Sequence, residues 1–316
     1  MPEYPDITIY IERLEALVNG QPLEQIRFAS PFFLRTAQPP IRSIHGATVR
    51  GIERMGKRVV FGFNKKRFLV IHLMVAGRLH WRKKNCKLPG KVGLAAFDFP
   101  NGSLLITEAG TKKRASLHMM GNRIELARLD PGGLEVFEAS VDEFERALLA
   151  ENHTLKRSLT DPHIISGIGN TYSDEILHRA RLSPLQLTQK LTDDQIKRLY
   201  HATCAVLEEW TQRLRDDVGD RFPDKVTAFR DKMAVHGRYK QPCPDCGTAV
   251  QRIRYAANET NYCPQCQTGG RLFADRAMSR LLKKDWPRTL EELEHREQKI
   301  SRNITERILP NNQSRT

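Results

Sequence analysis

No stretch of this chain offers the roughly 18 or more uninterrupted apolar residues that a membrane-spanning helix needs. Its start lacks the basic-then-apolar order of a secretion signal, so neither export nor an oxidising compartment is expected. There is no internal repeat and no low-complexity segment, which leaves an ordinary folded chain. Acidic residues are the scarce class: 37 Asp+Glu stand against 51 Lys+Arg, for a net charge of +14. A field of that sign attracts polyanions, nucleic acid first and an anionic membrane surface as the rival. Hydrophobic residues make up 40% and charged residues 28%, and 316 residues suffice for two domains with separate cores. A cytoplasmic nucleic-acid-binding protein is the expectation, nucleoid-associated in a bacterium, with no membrane partner.

Only six cysteines occur. Cys86 and Cys204 are isolated and read as small apolar fillers. The others form two knuckles, Cys243-Pro-Asp-Cys246 and Cys263-Pro-Gln-Cys266. Two such pairs let four thiolates close a tetrahedron around zinc, and four protein ligands leave no open position for catalysis. One structural zinc per chain is therefore expected. Between the knuckles, Thr248–Tyr255 reads as a strand, Ala256–Glu259 as a turn and Thr260–Tyr262 as a return strand.

The rest divides in two. After an early helix at about Thr8 to Leu17, short apolar runs separated by Gly, Pro and Asn suggest a sandwich or barrel: Arg58–Phe63, Phe68–Leu73, Leu94–Phe99 and Ser103–Ile106. From about Leu134 the period becomes helical. Leu191-Thr-Asp-Asp-Gln195 resembles a capping box, and Ile196, Leu199, Tyr200, Val206, Leu207, Trp210 and Leu214 follow on one stripe.

Two motifs carry chemistry. The chain opens Met-Pro-Glu, and trimming of Met1 would expose the Pro2 secondary amine beside the Glu3 acid. Taken alone, Pro2 reads better as a residue that merely stiffens a chain end, and the rest of the chain has to overturn that reading. Further on, Ser166-Gly-Ile-Gly-Asn-Thr-Tyr172 precedes a helix expected from about Thr171. Exposed amides at a helix N-terminus bind anions, with Asn170 as a side-chain donor. Glycines also serve simply to turn a helix hairpin. The +14 charge and the four-Cys unit favour phosphate binding.

These features converge. The start Met-Pro-Glu-Tyr-Pro-Asp6, the Gly56-Lys57 step, the Gly167-Ile-Gly-Asn-Thr-Tyr172 hairpin with Glu175 behind it, and a four-Cys finger introduced by Met233-Ala-Val-His-Gly-Arg238 resemble the formamidopyrimidine-DNA glycosylase and endonuclease VIII family, in register from Pro2 to about Gln267. The resemblance implies an α+β multidomain fold: an N-terminal β-sandwich (1–130), a helical helix-two-turn-helix domain (131–235), a zinc β-hairpin finger (236–270) and here a basic extension (271–316). It implies a monomer that repairs damaged DNA in the cleft between domains. Pro2 would attack the sugar's anomeric carbon and form an iminium, Glu3 would supply protons, and Lys57 would assist strand cleavage at the phosphates. Gly167, Gly169, Asn170 and Tyr172 would hold the kinked strand, with Glu175 supporting that geometry unless it is merely solvated.

Departures from the family pattern fall on lesion recognition. In the run His72-Leu-Met-Val-Ala-Gly77, Met74 precedes Val75, which stands where a wedge methionine is expected. The second loop, Thr107–Arg114, brings Lys112 and Arg114 to the DNA but no aromatic. Asn258 replaces an Arg that would grip the lesion's phosphate, and Asp6 replaces a Glu. Beyond Gln267 the tail carries 11 basic and 7 acidic residues, a net of +4, with a capping pattern from Thr289 to Glu292. It reads either as added DNA contacts or as a solvated tail. Three functions remain open: a bifunctional glycosylase and abasic-site lyase, a lyase without efficient base excision, and a non-catalytic DNA-binding repair protein.

Overall fold

The apolar runs expected to be strands are strands, and they build a sandwich. The computed structural model describes residues 1–64, 66–255, 258–273, 286–296, 298 and 299. One sheet has the order β1 (Pro22–Leu23), β3 (Ala47–Met55), β4 (Arg58–Phe63), β5 (Phe68–His72), β9 (Ser116–Met120). The other runs β2 (Gln25–Phe28), β7 (Gly93–Phe99), β8 (Gly102–Glu108), β6 (Gly77–Arg82). Every pairing within them is antiparallel. Their facing sides share one core, in which Phe61 meets Phe97 edge to face at 6.1 Å between ring centroids. Strands β3 and β6 escape the sequence reading because their apolar residues alternate with Arg50, Glu53, His80 and Arg82, so no unbroken run marks them.

Helix α1 spans Tyr4–Val18, one turn earlier than expected. Pro5 is tolerated in a first helical turn, and Asp6 Oδ2 accepts the Glu3 N–H at 2.9 Å, so the helix nucleates before Thr8. Its buried Ile7, Tyr10, Leu14 and Val18 complete the sandwich core.

The second core is helical, built by α3 (Val141–Leu149), α4 (Leu155–Thr160), α5 (Asn170–Arg179) and the long α6 (Asp193–Val218), while the short α2 (Arg123–Ala127) before them packs its Leu126 against Met55, Val60, Val70 and Met120 of the sandwich. The expected capping box at Thr192 and Gln195 opens α6, and the expected stripe faces inward. Tyr4 packs against this second core, so the chain's first residues sit where the two cores meet.

The finger consists of β10 (Gln251–Tyr255), β11 (Asn258–Tyr262) and the short α7 (Pro264–Thr268). Here the first strand starts three residues after the expected point, and the return strand starts two residues before it. Tyr255 pairs with Asn258, so Asn258 and Glu259 belong to the return strand, and residues 256 and 257 lie outside those described. In the tail the Thr289 cap forms, with Glu292 N donating to Thr289 Oγ1 at 3.3 Å, and residues 290–296 are helical. The rest of the extension beyond 299 lies outside the described residues.

Candidate active site and metal centre

Glu3 is 1% exposed although it is a carboxylate near the chain's start. Such burial requires partners, and the N-terminus of α5 provides them. Glu3 Oε2 accepts the Gly169 N–H at 2.7 Å and the Tyr172 N–H at 3.2 Å, while Oε1 accepts the Thr171 N–H at 2.8 Å. This corrects the reading of the glycine turn. The helix N-terminus does bind an anion, but the anion is Glu3 itself, so the Gly169 amide is not free for DNA. Tyr172 must also be withdrawn as a DNA contact, since its side chain is 1% exposed in the helical core and its amide belongs to Glu3. The helix starts at Asn170, one residue before the expected point.

The glycines are there for a close approach. A Cβ on Gly169 would stand 2.6 Å from Glu3 Cδ and 2.7 Å from Oε1, while Gly167 holds φ at +79° against the Tyr4 ring. Gly169→Ala should therefore push the Glu3 carboxylate off its amides. A displacement of order 1 Å costs catalysis about 100-fold, so single-turnover cleavage of a damaged duplex should drop by that order with zinc content unchanged. Wild-type cleavage by the alanine variant would mean that Glu3's seat is irrelevant to the chemistry.

Around this seat the charges gather. Lys57 Nζ donates to the Ile168 carbonyl at 2.6 Å, which brings it to the same turn as Glu3. Burial pulls the Lys57 ammonium below its ordinary pKa, Glu3 opposes this, and Arg58 adds to it. Pro2 is buried. Burial likewise lowers the pKa of the amino group that begins the chain, with Glu3 raising it, Arg78 lowering it, Asp6 raising it and Lys57 lowering it. His72 is pushed down to about 4 by burial, with Arg58, Lys57 and His118 adding to this, so it is neutral at pH 7.

Several partners gave no sequence signal because they are distant in the chain. Arg230, in the segment joining α6 to the finger, donates to Asp6 Oδ1 at 2.6 Å in a buried ion pair. Arg78 reaches the Val226 carbonyl of that segment at 2.6 Å and the Val75 carbonyl at 3.2 Å, fastening two loops together. Val75 is 60% exposed at the tip of the β5–β6 turn, whereas Met74 is half-buried with φ at +53°. Lys112 and Arg114 are exposed on a loop whose base is fixed by Glu108, which accepts the Arg114 and Ala115 amides.

The finger is welded to the same helix. Glu175 is no solvated side chain: it is 5% exposed and accepts the N–H groups of Ala234, Val235 and His236. Asp174 takes Lys156 Nζ at 2.5 Å, His236 Nδ1 at 2.8 Å and the Asn261 N–H at 3.1 Å. Asn170 Nδ2 donates to the Glu259 carbonyl at 2.8 Å, holding the hairpin, and the neighbouring Asn258 is exposed.

The four cysteine sulfurs converge, all within 4.8 Å of one another, with Cys243 to Cys266 at 3.9 Å and Cys246 to Cys263 at 3.4 Å. Zinc–sulfur bonds of about 2.3 Å in a tetrahedron set sulfurs about 3.8 Å apart, so the donor set fits one structural zinc. His178 Nε2 lies 3.3 Å from Cys243 Sγ, a contact that holds this sulfur in place.

Comparison with known proteins follows this layout. Residues 1–131 match the model of the formamidopyrimidine-DNA glycosylase N-terminal domain, residues 133–217 that of the H2TH domain of the same enzyme, and residues 240–269 the zinc finger found in FPG and IleRS. The chain is 30% identical over 279 residues to a formamidopyrimidine-DNA glycosylase of Desulfitobacterium hafniense, covering 84% of this chain and all of that protein. It is 32% identical over 282 residues to that of Thermus thermophilus, covering 85% of this chain and all of the relative. A formamidopyrimidine-DNA glycosylase-like protein of Mycobacterium tuberculosis is 40% identical over 151 residues, 48% of this chain and 94% of that one. In fold, the chain resembles Lactococcus lactis Fpg in complex with abasic-site DNA, with a TM-score of 0.74, 22% identity, and coverage of 84% of this chain and 99% of that one. The chain belongs to the formamidopyrimidine-DNA glycosylase family.

Proposed function

We propose that this chain is a base-excision-repair DNA glycosylase with abasic-site lyase activity that works through its trimmed N-terminus. One observation carries the reading: Glu3, two residues from the chain's start, is locked by three amides into the junction of the two cores, beside Lys57. A merely stiff chain end has no use for such an anchorage. Removal of Met1 leaves the Pro2 nitrogen as a free amine there. A terminal amine titrates near 8 and a lysine near 10.4 in model compounds, and burial favours the neutral form further.

The Pro2 nitrogen attacks the anomeric carbon, the C–N bond to the damaged base breaks, and the base leaves with the proton that the nitrogen sheds. Glu3 takes up a proton from solvent and passes it to the sugar oxygen as the ring opens, giving the iminium. The iminium acidifies the adjacent C2′ proton. Its loss expels the 3′ phosphate by β-elimination, and a second elimination releases the 5′ phosphate. Lys57, drawn toward its neutral form by burial, stands at this edge of the site to assist. Asn258, Lys112 and Arg114 offer donors to backbone phosphates, and Asn170 positions the hairpin that carries Asn258. A division at 1–130, 131–235, 236–270 and 271–316 follows from this use of the parts, and every group comes from one chain. A cytoplasmic protein, held at the nucleoid in a bacterium, accords with the absence of any helix long and apolar enough to cross a membrane among the described residues.

The exposed Val75 favours a second emphasis, toward substrates already unstacked. Flipping a base costs a few kcal/mol, which an enzyme recovers by filling the hole. Val75 reaches less far than methionine, and Lys112, Lys113 and Arg114 bring no ring. Cleavage of oxidised-purine, oxidised-pyrimidine, uracil and abasic DNAs tests the assignment, each in single strands and opposite all four bases. Abasic and single-stranded or bubble sites should be preferred, with little dependence on the opposite base. Inertness toward all of them would remove the enzyme reading, and sharp opposite-base selectivity in duplexes would mean that Met74 swings out to act as the wedge.

A further inference from the structure

The tail beyond the family's finger does more than trail from it. Arg271 pairs with Thr289, and the Leu272 N–H donates to the Arg288 carbonyl at 2.9 Å. The Phe273 N–H donates to Tyr262 Oη at 2.8 Å. These bonds return the chain across the finger and roof it with Phe273, Trp286, Leu290 and Leu293. The roof leaves a cavity of about 650 Å3, within the range of ligand sites.

The finger side of the cavity carries Lys240, Arg252 and Arg254, the two arginines sharing the Glu259 carboxylate at 3.3 and 3.0 Å, against Glu294 on the roof. It also carries rings: Arg252 lies over Tyr239 at 4.0 Å from the centroid, and Trp286 lines the roof, its Nε1 buried and without a hydrogen-bond partner among the described residues. Cations interleaved with aromatic faces are the combination that holds single-stranded nucleic acid, phosphates on the cations and bases stacked on the rings. A bare anion site needs no rings, and an apolar segment of protein needs no three cations.

The geometry points to a second nucleic-acid site here, one that takes an unpaired stretch of DNA flanking the lesion. The inference rests on the proposed DNA-repair function. Arg254 pairs with Glu259, whose carbonyl is bonded to Asn170, so the cavity adjoins the hairpin that the active site uses. A strand leaving the cleft past the hairpin would enter it.

The test uses the full, zinc-loaded chain and abasic duplexes that are either blunt or carry a single-stranded oligothymidine flank. The flank should tighten binding about tenfold or more, since stacking on an aromatic side chain is worth about that per base. Trp286→Leu and Lys240→Glu should each abolish the gain and leave binding and cleavage of the blunt duplex unchanged. Lys240 is exposed, so its variant gives a reading even if the roof variant misfolds. Equal gains in wild type and Lys240→Glu, or no gain in wild type, would overturn the site, as would polyglutamate displacing the flank as well as free oligothymidine does. A wild-type chain that failed to bind blunt abasic duplex would instead count against the proposed function.

Discussion

Borohydride will trap the Met1-trimmed chain on abasic-site DNA as a covalent adduct, because it reduces the iminium to a stable amine. The buried amino terminus has Glu3, Arg78, Asp6 and Lys57 as its charged surroundings, so the nitrogen of Pro2 emerges among them once Met1 is gone. An acylated proline nitrogen has no lone pair to give. A chain that keeps Met1, or carries an uncleaved N-terminal tag, should therefore form no adduct. Pro2→Gly keeps a terminal amine but loses the ring that fixes its direction, and a misdirected nucleophile costs about 100-fold. The adduct should weaken by that order. Equal trapping by tagged and trimmed protein would move the nucleophile elsewhere, with Lys57 as the next amine to test.

Cys263→Ser should cost the zinc, the hairpin and DNA affinity together. Structural zinc in isolated fingers contributes about 10–16 kcal/mol of apparent binding energy, which is folding energy for so small a unit. The finger's own apolar cluster consists of Val235, Cys243, Val250 and Cys263, so two of its four buried members are ligands. Without zinc, β11 no longer offers Asn261 to Asp174 or the Glu259 carbonyl to Asn170, and Asn258 loses its place. The sandwich and helical cores are separate clusters and should stay folded. Zinc content, circular dichroism and duplex affinity together check this. A chelator that stopped strand cleavage while leaving DNA affinity unchanged would contradict a structural role.

Much of this was legible along the chain because the signals are local. Cys-x-x-Cys knuckles fix their own geometry, a capping box at Thr192 fixes a helix start, and the strands rich in consecutive apolar residues announce themselves. The same locality explains the misses. Glu3 and Gly169 are 166 residues apart, and Arg230 is 224 residues from Asp6, so no window of sequence contains either pair. The Gly-Ile-Gly-Asn turn was recognisable as an anion site, yet which anion it holds depends on what the fold brings to it.

The sequence by itself determined the kind of protein: a basic chain with a zinc finger, a sandwich followed by helices, and a nucleophile next to an acid at its start. Those properties reside in residue types and short spacings, which survive in any conformation. Tertiary structure alone decided that Glu3 occupies the helix N-terminus, that Tyr172 is core, that Glu175 welds the finger to α5, and that the tail roofs a cavity. Each is a matter of which distant backbone donor or apolar face comes within about 3–4 Å, and burial makes such choices binding, since an unpartnered carboxylate or amide there would cost more than the contact it gave up.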